Sequence, residues 1–182
     1  MESNKPSHIG MRKIKSLLAI LIGFFIWQGI RLFFPDLEIH PLFIYIYAFL
    51  EIRDTSQKTK TLGVQRIKAT LIAMAVGLPM LILRIFVHSN WDNTSLVTAL
   101  DMVMILFGSL LTLQLGQKFE CGSMTGLTAV IYIILLISHA DDHRYVYAVL
   151  RAFQTVIGVF VAWFVNVLLF PYPGKEPSEK KE

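Results

Sequence analysis

The stretch that decides the fold is Ala69-Thr70-Leu71-Ile72-Ala73-Met74-Ala75-Val76-Gly77-Leu78-Pro79-Met80-Leu81-Ile82-Leu83-Arg84-Ile85-Phe86-Val87, nineteen residues with a single charge, at Arg84. A helix of that length rises about 28 Å, close to the roughly 30 Å hydrocarbon thickness of a bilayer. A soluble helix would show polar residues on one face, and none recur here at helical spacing. The stretch therefore reads as a membrane span.

Working outward, similar segments recur along the chain. Candidate helices run about 17–34, 39–50, 69–87, 97–115, 124–138 and 152–170, separated by segments that collect the charges, Gly, Pro and Asn. The composition agrees. Of 182 residues 54% are hydrophobic and 16% charged, against about 45–50% and 25% in average soluble domains. Six spans at about 20 residues each leave no room for a separate soluble domain, and continuous apolar runs exclude a water-filled β-barrel. The expected fold is an all-α membrane protein with six transmembrane helices. Its parts are a cytoplasmic segment 1–16, a transmembrane domain 17–171 and a polar tail 172–182.

The net charge of +4 reads as topology, not as a sign of a nucleic-acid partner. With the N-terminus inside, thirteen Lys and Arg fall in cytoplasmic segments, while Arg31, Arg84, Arg144 and Arg151 fall on the outer side. Both termini are expected in the cytoplasm of a bacterial cell membrane. The basic start followed by an apolar run resembles a signal peptide, but Trp27-Gln28-Gly29-Ile30-Arg31 offers no small-residue cleavage site, so a retained first span is expected. Cys121 is the single cysteine, which leaves no intrachain disulfide.

Shifting the chain against itself by 85 residues aligns Arg66, Thr70, Ile72 and Val76 with Arg151, Thr155, Ile157 and Val161. It also aligns Ile46-Tyr47 with Ile131-Tyr132 and Gly23 with Gly108. Two three-helix halves result, about 9–87 and 94–171. Because three is odd, the halves enter the membrane in opposite senses, an inverted-topology repeat found in many secondary transporters. The second and fifth helices are both too short to span comfortably. Such matched short segments point to a transport site, because their backbone ends must line a cavity or be buried in protein.

The stretch Ile9-Gly10-Met11-Arg12-Lys13-Ile14-Lys15-Ser16-Leu17-Leu18-Ala19 resembles the opening of bacterial members of the aromatic acid exporter family, related to fusaric acid resistance proteins. Arg66-Ile67-Lys68-Ala69-Thr70-Leu71-Ile72-Ala73 is similar to that family's Arg-x-x-Gly-Thr-x-x-Gly stretch, and Arg151 to Gly158 with Asn166 and Pro171 resembles its second copy and exit. The resemblance implies a six-helix bundle, a homodimer, and export of aromatic carboxylates and similar weak acids. Distant plant relatives are malate-permeable anion channels. Ala69 and Ala73 replace two glycines of the pattern, and Glu51-Ile52-Arg53-Asp54-Thr55 stands where relatives carry an uncharged turn.

Charges at a helix centre in lipid cost about 2.5–3.5 kcal/mol each, so each asks for a reason. Arg84 lies about one turn before the outer end of the third helix and Asp101 about one turn after the outer start of the fourth, so an ion pair or a shared polar cavity is expected there. The alternative is that Arg84 snorkels to the headgroups. Arg66 and Arg151 are each placed just before a helix start, where a guanidinium adds to the positive end of the helix dipole and can grip a carboxylate; lipid phosphates or nearby carboxylates are alternative partners. Thr70, Gln154 and Thr155 lie one turn in and are positioned to orient the anion. Tyr47 and Tyr132 are candidates for stacking on an aromatic substrate, or for interfacial anchoring. Glu51, Asp54 and Asp101 are the candidates for proton coupling. His139-Ala140-Asp141-Asp142-His143 has metal-ligand residue types, but a hydrated loop is the default reading, and no cofactor or metal is expected. No HExxH, GxSxG, P-loop or GxGxxG stretch occurs, so an enzyme is not expected. The reading is an exporter of aromatic or similar weak organic acids, coupled to the proton gradient. A passive anion channel and a non-transporting scaffold subunit are the alternatives, and a small organic anion, membrane lipids and a second copy of the chain are the partners.

Overall fold

The computed structural model describes residues 11–35, 40–53, 55–91, 93–137 and 144–169, with backbone only for 144–148. These residues form α1 (Met11–Phe33), α2 (Leu42–Leu50), α3 (Ser56–Asn90), α4 (Thr94–Lys118), α5 (Thr125–Ile137) and α6 (Arg144–Phe164). A 3-10 turn, Gly122–Met124, leads into α5, and a π turn, Val165–Leu169, follows α6. No strand occurs among the described residues. Four segments, Met11–Phe33, Ser56–Asn90, Thr94–Lys118 and Val149–Leu169, are long and apolar enough to cross a membrane. Asp54, the loop 139–143 and the tail 172–182 lie outside the described residues.

Several helix boundaries differ from the reading of the sequence, with α1 starting at Met11 and α6 at Arg144, both earlier than expected. The third helix starts at Ser56, not near Ala69, and is 35 residues long. Hydropathy marks where lipid begins, not where a helix does. Thr59, Gly63, Arg66, Thr70 and Ala73 are all buried, so the helical stripe runs unbroken through the basic segment. Arg66 is therefore the eleventh residue of α3 and Arg151 the eighth of α6, and the expectation that each opens its own helix is corrected. The second helix has only 9 residues, about 14 Å, and α5 has 13, about 20 Å. Neither crosses a core of about 30 Å by itself.

The chain divides into two compact units, each described by itself: 1–60 with 158–182, and 61–157. In the first, α1 packs on α2 at Gly23, where an added Cβ would lie 2.9 Å from Ile44 Cγ2. The start of this unit's portion of α6 meets α2 at Gly158, whose Cβ would lie 2.8 Å from Tyr47 Cβ and 2.9 Å from the Ile44 carbonyl oxygen.

In the second unit, α3, α4 and α5 share a core of Ala73, Val76, Met104, Ile131, Tyr132 and Leu136. Asn93 caps α4 by accepting from the Leu96 amide at 3.3 Å. That helix ends in a Schellman turn: the Cys121 amide reaches the Gly116 carbonyl at 2.9 Å and the Glu120 amide reaches Gln117 at 3.1 Å. Glu120 holds the left-handed position of this turn at φ 54° and Gly122 follows at φ 55°, so the chain reverses within a few residues. On the way back Thr128 donates to the Thr112 carbonyl at 3.0 Å, and Tyr132 donates to the Met104 carbonyl at 2.7 Å.

Gly108 is the closest approach in this unit, because a Cβ there would overlap the Tyr132 phenol. Tyr132 is fully buried and bonded, so it cannot swing aside. Gly108→Ala is expected to destabilise the protein by about 1–3 kcal/mol through overpacking. Gly126→Ala, where nothing lies within 4 Å, is expected to be neutral or to stabilise by up to about 1 kcal/mol. Thermal unfolding of the two variants in detergent micelles checks both, and equal midpoints would contradict the packing described.

Candidate functional site

Polar side chains inside this apolar chain gather at a few places, and each can be built from the helix that carries it. Near its C-terminal end α3 presents Arg84 and, one turn later, His88. Arg84 grips Asp101 of α4 with a two-pronged fork, Nε to Oδ1 and Nη2 to Oδ2, both at 3.1 Å. His88 Nε2 lies 3.2 and 3.1 Å from the same two oxygens. The remaining prong, Arg84 Nη1, donates to the Leu136 carbonyl, one of the last four in α5 and thus without a partner in its own helix. Arg84 and Asp101 therefore meet as an ion pair, as their equal depth in the sequence suggested. The same guanidinium also ties down the end of a helix too short to reach water.

Eighteen residues earlier on α3, Arg66 is 5% exposed. Its Nη2 lies 3.8 Å from the sulfur of Met124, in the turn that opens α5. The guanidinium thus lies against a side chain of the turn that opens α5, and not at the start of α3. Thr70 directs its hydroxyl proton to the Arg66 carbonyl at 2.9 Å. Thr155 does the same to the Arg151 carbonyl, also at 2.9 Å. A hydroxyl has one proton to give, so in this structure neither threonine has a donor left for an anion. Arg151 is 4% exposed, and Gln154 and Thr155 are fully buried.

The remaining candidates are closed off from solvent. Glu51 is fully buried, Tyr47 is 4% exposed beside Phe43, and Tyr132 is fully buried between its glycines and the Met104 carbonyl. Cys121 is free and buried; burial pushes its thiol pKa up, partly offset by Lys68. Among the described residues no cluster of His, Cys, Asp and Glu could hold a metal ion.

One cluster escaped the sequence reading. Lys15, 3% exposed, donates to Asn166 Oδ1 at 3.0 Å. Asn166 Nδ2 in turn donates to Thr59 Oγ1 at 2.7 Å and to the Arg53 carbonyl at 3.0 Å. The Arg53 amide closes the ring on Thr59 Oγ1 at 3.2 Å. The cluster joins the start of α1, the loop before α3, the first turn of α3 and the π turn after α6. Lys15 is one of the thirteen basic residues that the sequence assigns to the cytoplasmic side. The usable signal was Asn166, a lone amide flanked by Val165 and Val167, which demands a buried partner.

These features, long apolar helices with charges held in specific internal ties and a short helix whose closing carbonyl is met by an arginine from its neighbour, define a multi-pass helical membrane protein. A family model described as aromatic acid exporter family member 1 matches residues 7–169, and the chain belongs to that family. Membership points to a membrane transporter rather than an enzyme. No curated protein and no solved structure matches the chain.

Asp101→Asn keeps the shape but removes the charge that Arg84 and His88 share, and is expected to destabilise the fold by about 1–3 kcal/mol. Arg84→Lys keeps a charge but cannot reproduce a fork and a helix cap together, so a comparable loss is expected. Thermal unfolding in detergent reads both, and an unchanged midpoint for Asp101→Asn would show the pair to be energetically idle.

Proposed function

We propose that the chain exports aromatic carboxylates or similar weak organic acids by alternating access between two inverted three-helix halves. The observation that carries this reading is the buried Arg66 guanidinium at the first turn of the short helix α5. A half-length helix whose N-terminus is reinforced by a guanidinium is suited to an anionic group in a low-dielectric setting.

The inverted repeat gains support from matched detail. At the offset of 85, Arg66-x-x-x-Thr70 and Arg151-x-x-x-Thr155 share one local geometry, a buried arginine whose carbonyl accepts from the threonine four residues on. One unit holds α1, α2, the first turn of α3 and the end of α6, and the other holds α4, α5, the rest of α3 and the first two thirds of α6. Their polar ties correspond as well, Lys15 of α1 with Asn166 after α6, and Asp101 of α4 with Arg84 of α3.

In this reading both termini are cytoplasmic, and the functional unit is a homodimer in a bacterial cell membrane. Arg66, Arg151 and Gln154 attract the substrate carboxylate, while Thr70 and Thr155 hold the backbone of the two arginine turns. Tyr132, in the same unit as these residues, and Tyr47, in the other, are the candidates for contact with an aromatic ring. Asp101, with Glu51 and Asp54 as further candidates, takes up the coupling proton.

The test is flux from proteoliposomes loaded with radiolabelled benzoate. Saturable flux that responds to an imposed pH gradient is expected, with Arg66→Ala and Arg151→Ala each lowering it at least about tenfold, the loss of one charge-assisted contact. Unitary current steps without saturation would favour a channel. The absence of flux for any organic anion tried would leave the scaffold reading standing.

A further inference from the structure

In hydrocarbon no water is at hand, so a buried polar group takes a partner from the protein or goes without. Most buried hydroxyls of this chain follow the rule: Thr70, Thr112, Thr128, Thr155 and Tyr132 each donate to a backbone carbonyl. Trp27 does not. It is 2% exposed, and its indole Nε1 is buried with no acceptor within hydrogen-bonding distance. Buried Trp N–H groups ordinarily find a partner.

Position adds to this. The buried residues of α1 are Lys15, Ser16, Ala19, Gly23 and Trp27. Lys15, Ala19, Gly23 and Trp27 recur at intervals of four, so they share one face of the helix. Lys15 is held by Asn166, and Trp27 lies about 18 Å further along the axis. The face therefore carries an occupied cation near its start, small residues in the middle, and an unoccupied donor set in a large flat ring beyond them.

We propose that Trp27 is a substrate contact, donating its indole N–H to the carboxylate of an aromatic monocarboxylic acid. This rests on the exporter reading. An indole N–H suits the task because it can donate but not accept, so it selects for an acceptor. The donor stays open in the empty protein because its acceptor arrives with the substrate.

The experiment uses the full chain with Trp91→Phe and Trp163→Phe, which leaves Trp27 as the single tryptophan. Its emission is followed while benzoate is added, with benzyl alcohol as the control that keeps the ring and lacks the carboxylate, and benzoate flux is measured on the same preparation in proteoliposomes. A saturable change in Trp27 emission is expected, at lower concentration for benzoate than for the control. Trp27→Phe, which keeps a ring and removes the N–H, is expected to raise the KM for benzoate about tenfold with little change in maximal flux. Should that variant fail to fold, the emission titration still decides. Flux with a silent Trp27 would overturn the contact and leave the exporter reading intact. A saturable emission change without flux would uphold the contact as a binding site and remove the exporter reading. Neither signal would remove both.

Discussion

Hydrocarbon offers no hydrogen bonds, and α5, with 13 residues, is too short to carry both of its ends to water. The architecture of the second unit follows from that shortage. One helix, α3, reaches both ends of α5: Arg66 lies against Met124 in its opening turn and Arg84 caps its closing carbonyl, with Lys68 donating to the Phe119 carbonyl that follows α4. Arg66 and Arg84 are separated by about 27 Å of helix and the two ends of α5 by about 20 Å, a difference that long arginine side chains reaching inward can cover. A long α3 thus runs past a short α5 and holds its closing end through Arg84.

The same constraint governs charge. Asp101 in lipid would be costly alone, and Arg84 would be too, but paired they also discharge a third obligation, the Leu136 carbonyl. Removing either partner strands two groups, and for that reason the arrangement resists drift. The Lys15, Asn166, Thr59 and Arg53 ring works differently. In it the Lys15 ammonium donates to Asn166, whose amide reaches the Thr59 hydroxyl and the Arg53 carbonyl, and it gathers three parts of the chain that are far apart in sequence.

How much of this could be read beforehand depends on the type of signal. The membrane class, the six helices and the meeting of Arg84 with Asp101 were legible, because each depends on hydropathy and on depth counted from a helix end. The start of α3 was not, since residues 56–68 are polar, and polarity says nothing about whether a helix continues. Arg66 was placed at the start of its own helix and lies instead against the turn that opens α5, an error of tertiary contact and not of chemistry. Lys15 was hidden by its neighbours Arg12 and Lys13, which made a buried ammonium look like one more member of a basic rim. Glu120, a non-glycine at positive φ, left no trace in a residue-type pattern that expects Gly there.

The two Arg-x-x-x-Thr turns bear on motion as well as on recognition. A threonine that bonds back to the carbonyl four residues earlier competes with the helical amide for that oxygen, and such back-bonding often bends helices. Thr70 supplies one such point in α3 and Thr155 one in α6. Each helix has a second irregularity further on, Pro79 in α3 and the π turn at Val165–Leu169 after α6. Proline removes an internal bond and a π turn widens the ladder, so both helices carry two soft points at comparable places. The polar ties lie at or beyond these points, Arg84 five residues after Pro79 and Asn166 within the π turn itself. A bend at either soft point would therefore move a tie without disturbing the arginine turn that precedes it.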